Sequence, residues 1–396
     1  MNQKLKTLVE SYRPGFSLPS AFYTDDVIYQ LDLESVFCRR WIYAGHISQL
    51  SESGEYFLVE FGNESIMVVR GKDDEIRAFA NVCRHRGSRV CLEQHGKTRA
   101  FVCPYHAWTY ELDGSLRSRR EMPADFDQKD YGLNSVQASI FHGLIFINLD
   151  PVAPDFAQSL SPVSSSFDIY RLEKTKIACQ KTFQVDANWK LAVENFMECY
   201  HCAPAHHEFS QSHALKSPKD YQAMRPAMIE QAAKLGYQTE FIDNPNWTES
   251  DQVEYFYNRS SMYEPYVTGS ETGKAVAPLL GDIEDYGGGA ADIQFGAVNF
   301  AILYPDHAVI YRFLPTALQK TSMDIIWLVN QEAKEGTDYK LDELTWLWTV
   351  TTEADKKIIL NNQKGVNSRF YQPGPLANSE TYVTAFLEWY FEQIKQ

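Results

Sequence analysis

Two Cys-plus-His pairs constrain this chain more than any other feature: Cys83-Arg-His85 and, after seventeen intervening residues, Cys103-Pro-Tyr-His106. Each pair lies beside a short strand-like run, so the four side chains can meet only if two loop tips are carried to one point. The text from Tyr56 to Ile147 suits that task. YFLVEFG, SIMVVRG, IRAFANV, RAFVCPY and GLIFINL alternate, with Gly, Asp and Asn between them, which predicts a small all-β module. Seven cysteines stand at 38, 83, 91, 103, 179, 199 and 202, and five of them fall in two short stretches rich in histidine. An odd number, bunched this way in a reducing compartment, predicts metal binding or catalysis rather than disulfides.

Two thiolates on one iron and two imidazoles on the other define a Rieske [2Fe–2S] centre, and C-x-H with C-x2-H is its spacing. Structural zinc takes the same ligand types but usually pairs them as CxxC or HxxxH. Neutral imidazoles reduce the negative charge on the cluster and raise its potential, so the histidine-ligated iron is the electron-accepting end. Pro104, Tyr105 and Trp108 are expected to shield it from water, and Cys91 and His95 to be plain loop residues. Between 83 and 120 eight bases (Arg84, Arg86, Arg89, Lys97, Arg99, Arg117, Arg119, Arg120) face three acids (Glu93, Glu111, Asp113). This patch reads equally as a docking face for an acidic redox partner or as a solvated face offsetting thiolate charge.

A second block, NWKLAVENFMECYHCAPAHHEF (188–209), is too apolar for a surface helix. With a helix over Trp189–Cys202, Glu194, Glu198 and His201 form one polar stripe at i, i+4, i+7, and a buried polar stripe needs a partner such as a metal. Pro204 should end that helix, leaving His206 free to join His201, with His207 as its rival. Two histidines and one carboxylate on one face make a non-haem Fe(II) site. The third ligand is sought in a long helix over about 342–367. Glu353 there has Lys356 and Lys357 at i+3 and i+4, whereas Asp355 shares its face with Trp348, Thr352, Ile358 and Ile359, so Asp355 is the choice. His46, His142, His213 and His307 read as structural. Cys199 and Cys202 form a CxxC without a second pair, so no metal or redox role is assigned to them.

The rest of the chain sets bounds. With 44% hydrophobic and 22% charged residues, 396 residues suffice for a large core and two domains. Residues 1–44 read as helical or irregular, and the Pro/Ser-rich stretch from Asp150 to Ser166 as a boundary. No apolar run approaches the about 18 residues of a membrane span. MNQKLKTLVESYRPGF holds no stretch of signal-peptide length, so a cytoplasmic location is expected. A net charge of −15 argues against a nucleic-acid or anionic-membrane partner. No GxGxxG, P-loop or GxSxG occurs, so no nicotinamide site is expected on this chain. IEDYGGGAAD (283–292) reads as a mobile loop.

At these motifs the chain resembles the oxygenase (α) component of Rieske non-haem iron oxygenases, the ring-hydroxylating family, over nearly its full length. The Rieske pairs, NWK…ENF-x-E-C-Y-H-x4-H and the tail ADKKIILNNQKGVNSRFYQPGPL…E carry the likeness. The resemblance implies an α+β fold: a β-rich Rieske domain (45–160) and a catalytic domain (1–44 and 161–396) whose curved antiparallel sheet grips a long helix. It implies that Cys83, His85, Cys103 and His106 hold the cluster and that His201, His206 and Asp355 hold the mononuclear iron. Glu198 then bridges His201 to His106 of a neighbouring subunit in a homotrimer, with Asn195 near the iron. Electrons come from NAD(P)H through a separate reductase of flavin or ferredoxin type.

The wording Glu198-Cys199-Tyr200-His201-Cys202 looks like the branch acting on glycine betaine, proline betaine and carnitine, although His206-His207 departs from that branch's usual His-Pro. The expected reaction is therefore O2-dependent hydroxylation of an N-methyl group with loss of formaldehyde. Alternatives are cis-dihydroxylation of an aromatic acid, or a Rieske electron carrier with no oxygenase activity. Quaternary ammonium groups are held by aromatic faces. Candidates are Tyr255, Phe256, Tyr257, Tyr263 and Tyr266 near Glu264, with Phe300, Tyr304 and Tyr311, though core packing is the commoner use of each.

Overall fold

The computed structural model describes residues 3–123, 126–242 and 253–395. Ten strands come from the first 150 residues: β1 (Ile42–His46), β2 (Glu55–Phe61), β3 (Glu64–Arg70), β4 (Ile76–Ala80), β5 (His95–Lys97), β6 (Phe101–Val102), β7 (Thr109–Tyr110), β8 (Leu116–Ser118), β9 (Ser135–Phe141) and β10 (Leu144–Asn148). Seven of them pair antiparallel in the order β1-β10-β9-β4-β3-β2-β5, and β6-β7-β8 make a separate small sheet. Alternation decides the two faces. Ile66 and Val68 of β3 enter the large core shared with the rest of the chain, while Met67 and Val69 enter a small core with Cys83, Cys103, Trp108 and Tyr110.

The second half builds a six-stranded antiparallel sheet, ordered β11-β16-β15-β14-β13-β12. Its strands are β11 (Thr175–Val185), β12 (Tyr255–Ser260), β13 (Ala290–Phe295), β14 (Asn299–Leu303), β15 (Ala308–Ala317) and β16 (Lys320–Asn330). In β14, β15 and β16 both faces are covered, so those runs read as almost continuously apolar. Tyr311, Phe313, Ile325 and Trp327 face one core, and Ile310, Ile326 and Leu328 face the other. Four helices matter for the site: α1 (Trp189–Phe196), α2 (Pro218–Lys234), α3 (Leu341–Val366) and α4 (Thr381–Lys395). Helix α3 lies across the first face. Lys181 Nζ donates to Thr345 Oγ1 (3.0 Å) and Thr349 Oγ1 (2.9 Å), and the Tyr311 and Thr352 hydroxyls meet at 2.8 Å.

Two buried ionic contacts hold the halves in register. Arg312, paired to Asp324 across β15 and β16, also donates to the carbonyls of Tyr43 and Ala44 at the edge of the first sheet. Lys190 on α1 is fully buried against Asp32, whose carboxylate also accepts from Trp189 Nε1 (3.0 Å) and the Tyr390 hydroxyl (2.5 Å). The N-terminal segment, α1 and α4 thus share one carboxylate. The 283–292 segment, expected to be a mobile loop, is a loop only to residue 289, since Ala290–Asp292 open β13, and Arg259 ties it down by donating to the carbonyls of Gly288 and Gly289. Among the described residues no helix is long and apolar enough to cross a membrane.

Removing one partner of a buried pair leaves the other uncompensated. Asp32→Ala is expected to lower unfolding free energy by about 3–5 kcal/mol in chemical denaturation. A loss below about 1 kcal/mol would show that the pair does not anchor α1.

Candidate metal centres and active site

The two Cys/His segments fold into similar loops. In the first, the Cys83 amide bonds the Ser88 carbonyl and the Gly87 amide returns to the Cys83 carbonyl. In the second, Cys103 bonds Trp108 and Ala107 returns to Cys103. The fifth residue of each loop has positive φ, 77° at Gly87 and 57° at Ala107. At Ala107 the backbone accepts a conformation costly for a residue with a Cβ in order to turn the chain. The loops place His85 Nδ1 3.2 Å from His106 Nδ1. Cys83 and Cys103 lie buried behind them, with the Tyr110 hydroxyl 3.2 Å from Cys83 Sγ. Trp108 is buried and stacks on His85 at 4.9 Å, as shielding requires. Pro104 and Tyr105 do not shield as expected: both are exposed, because the loop tip that carries them points outward, although Tyr105 stacks on His106. Cys91 and His95 stay outside the group.

The basic patch is more neutral than the sequence suggests. Arg89 pairs with Glu60 and Lys97 with Glu52, acids from outside the stretch, and Arg117 lies 3.4 Å from Glu111.

The second block departs from the expected helix. Helix α1 begins where the Asn188 side chain accepts from the Lys190 amide, and it ends at Phe196, well before Pro204. The reason is Glu198. Its Oε2 accepts from the amides of Tyr200 and His201, donors that a continuing helix would give to backbone carbonyls. The polar stripe is therefore split, and Glu194 turns the other way to accept from the Tyr23 hydroxyl (3.0 Å). Burial pushes the Glu194 carboxyl up to about 8. Cys199 and Cys202 are joined in a disulfide, against the sequence expectation, because the turn after the broken helix sets their Cα atoms 4.8 Å apart.

The same turn brings His201, His206 and Asp355 together, with their ligand atoms all within 4.8 Å of one another. Asp355 Oδ1 lies 2.8 Å from His206 Nε2 and 3.2 Å from His201 Nε2, and the two Nε2 atoms are 3.1 Å apart. His201 Nδ1–H donates to Glu198 Oε1 at 2.5 Å, which leaves its Nε2 as the lone-pair atom. Asn195 Nδ2 stands 3.3 Å from that Nε2. Burial disfavours charge on His201, but with no ion between them hydrogen bonds to Asp355 and Glu198 outweigh it and raise its pKa to about 9, so a second proton sits on Nε2 and an ion binding there displaces it. His207 and Glu353, the rivals, are exposed. His46, His142, His213 and His307 spend their rings on Leu172, Ser164, Tyr304 and Asp306.

The triad opens into a cavity of about 950 Å³ between α1, α2, α3 and one face of β12–β14. Phe196, Phe209, Phe256, Phe300, Trp348 and Tyr382 supply aromatic wall. Of the aromatics marked in sequence only Phe256 and Phe300 line it; Tyr257, Tyr304 and Tyr311 are core, and Tyr263 bonds Asp220. Arg225, Asn258, Asp292 and Gln294 line it without having been singled out. For the three strand residues a signal was present, polar side chains alternating with apolar ones along β12 and β13; Arg225 comes from α2 and had none.

Residues 40–137 match the Rieske [2Fe-2S] domain, and residues 172–396 match the ring hydroxylating alpha subunit (catalytic domain). The chain belongs to the ring-hydroxylating α-subunit family. It is 34% identical over 394 residues to the glycine betaine monooxygenase oxygenase subunit of Pseudomonas aeruginosa (strain UCBPP-PA14), covering 98% of this chain and 91% of that protein. It is 30% identical over 372 residues to the carnitine monooxygenase oxygenase subunit of Acinetobacter pittii (strain PHEA-2), covering 90% and 87%. The quaternary ammonium Rieske monooxygenase CntA in complex with L-carnitine has the same fold, with TM-score 0.71, 22% identity and 97% of each chain covered.

The protein is thus a Rieske-type oxygenase, and its α+β fold is the family's. The family's cofactors are a Rieske [2Fe–2S] cluster and a mononuclear non-haem iron, with electrons supplied by a separate reductase. The residues fit both. Two buried thiols behind two convergent imidazoles match the mixed ligation of the cluster. Ligands about 2.1 Å from a first-row ion at right angles lie about 3 Å apart, which is the spacing of the three atoms here. Three such atoms this close need a positive charge shared between them, a proton in the free site or a metal ion in its place.

In chelated protein, Asp355→Ala should weaken divalent-ion binding at the triad by more than the 10–100-fold typical of outer-shell partners, measured by calorimetry. Unchanged affinity would remove Asp355 from the ligand set.

Proposed function

We propose that this chain is the terminal oxygenase of a multicomponent system that hydroxylates an N-methyl group of a betaine-like quaternary ammonium compound. The observation that carries the reading is the aromatic-walled cavity directly over the triad, in a chain alike along nearly all its length to glycine betaine monooxygenase oxygenase subunits. A quaternary nitrogen has no N–H to donate, so recognition falls to aromatic faces, each worth about 0.5–2 kcal/mol. In balance, O2, two electrons and two protons convert N–CH3 to N–CH2OH and water. The hydroxymethyl carbon then leaves as formaldehyde, losing its O–H proton while the C–N electron pair stays on nitrogen.

In this reading Cys83, His85, Cys103 and His106 hold the cluster, and His201, His206 and Asp355 hold an iron that supplies O2 activation when bound. The side chains do the rest. Glu198 fixes the His201 tautomer by taking its Nδ1 proton, Asn195 faces the same imidazole, and the aromatic wall keeps water from the reacting C–H bond. We assign residues 45–160 to the cluster domain and 1–44 with 161–396 to the catalytic domain.

Glu198 is also the proposed electron bridge to a neighbouring subunit's cluster in a homotrimer, in the cytoplasm. Support comes from large aromatics exposed at both ends of such a path: Tyr200 is 66% and Tyr105 56% exposed, values suited to burial in an assembly.

NAD(P)H- and O2-dependent formaldehyde release, coupled to one betaine with a surrogate reductase, is the expected result. A diol from an aromatic acid instead would move the protein to ring dihydroxylation. Glu198→Gln should keep both metal centres and slow inter-site electron transfer in stopped-flow reoxidation, by about 10-fold or more. An unchanged rate would reject the bridge.

A further inference from the structure

Among the described residues lining the cavity, one carboxylate takes no part in the metal chemistry. Asp292 is on β13, on the face that lines the cavity with Phe256, Asn258 and Phe300. The strand register fixes its neighbours. Asn258 and Ile302 are its direct cross-strand partners, while the adjacent row reads Phe256, Gln294, Phe300, so aromatic rings lie diagonal to it on both sides. Ser260 Oγ donates to Asp292 Oδ2 at 2.8 Å, and among the described residues the carboxylate takes part in no ion pair. The nearest cation in sequence, Arg259, is fully buried on the opposite face, donating to Gly288, Gly289 and Tyr170. Burial accordingly holds the Asp292 carboxyl up to about 6, against the lowering effects of Ser260 and Arg259. A half-buried acid on the cavity wall, in no salt bridge among the described residues and diagonal to two phenylalanines, costs stability unless something positive comes to it.

We propose that Asp292 is the counter-ion that selects a fixed positive charge in the substrate, with Phe256 and Phe300 flanking the cation. The inference rests on the demethylase reading for its substrate and adds the residue that sets the charge preference. Arg225 reaches the cavity from α2 and donates to Asn258 Oδ1 at 2.8 Å, the cross-strand neighbour of Asp292. Aromatic faces alone would also accept a neutral tert-butyl group. A half-buried carboxylate makes that isostere a poor ligand, because the acid would be desolvated with no charge to answer it.

The test is calorimetry on the metal-loaded protein with choline and its neutral carbon isostere 3,3-dimethylbutan-1-ol. The wild type should prefer choline tenfold or more, and Asp292→Asn and Asp292→Ser should both erase the preference while retaining the Rieske absorbance. In turnover with glycine betaine the Asn variant should raise KM far more than it lowers kcat. Equal wild-type affinity for the two probes, no binding of choline, or choline affinity unchanged in the variants would each overturn the proposal. A choline preference that depends on Asp292, in a protein releasing no formaldehyde from any betaine, would uphold the cation site and overturn demethylation.

Discussion

Two imidazole nitrogens and one carboxylate oxygen are held 2.8–3.2 Å apart with their electron pairs converging. Such atoms stay together only around a shared proton or metal ion, and the surrounding fold is organised to bring them to that point. Helix α1 must stop at Phe196 for the turn to swing His201 and His206 inward, and Glu198 stops it by capturing two amides. Helix α3 must cross the whole sheet to deliver Asp355 from the other side, and the Lys181 and Tyr311 contacts hold it there. The Lys190–Asp32 pair fixes α1 from behind. A single electrostatic requirement thus accounts for contacts spread over more than three hundred residues.

Glu198 has two jobs that share one geometry. One oxygen shapes the backbone and the other sets the tautomer of His201. At the opposite end of the chain's chemistry, the cluster loops bury their thiols and leave their imidazoles at the rim. The Tyr110 hydroxyl meets the Cys83 sulfur inside, and in the proposed ligation the histidine side would be the outward, electron-accepting edge.

The cavity follows from strand periodicity. β12, β13 and β14 turn every second residue toward the triad, so Phe256 and Phe300 arrive with Asn258, Asp292 and Gln294 between them. Chemistry at the metal and selection of the ligand are thereby placed on different elements. Asp355 and the two histidines come from helices and turns, whereas Asn258, Asp292 and Gln294, with Phe256 and Phe300, come from the sheet.

Local spacing made the metal chemistry legible before any fold was known. Cys83/His85 with Cys103/His106 bear a ligand pattern few other uses would produce, and Asp355 stood out as an acid among apolar helix neighbours. Both rest on positions a few residues apart, where covalent geometry alone fixes what shares a loop or a face. The tertiary structure decided what depends on side chains competing for backbone donors or meeting across the sheet. The early end of α1, the divergence of Glu194 from Glu198, the pairing of Cys199 with Cys202 and the solitary Asp292 belong to that class. Periodicity records which way a residue points; only packing determines what it finds there.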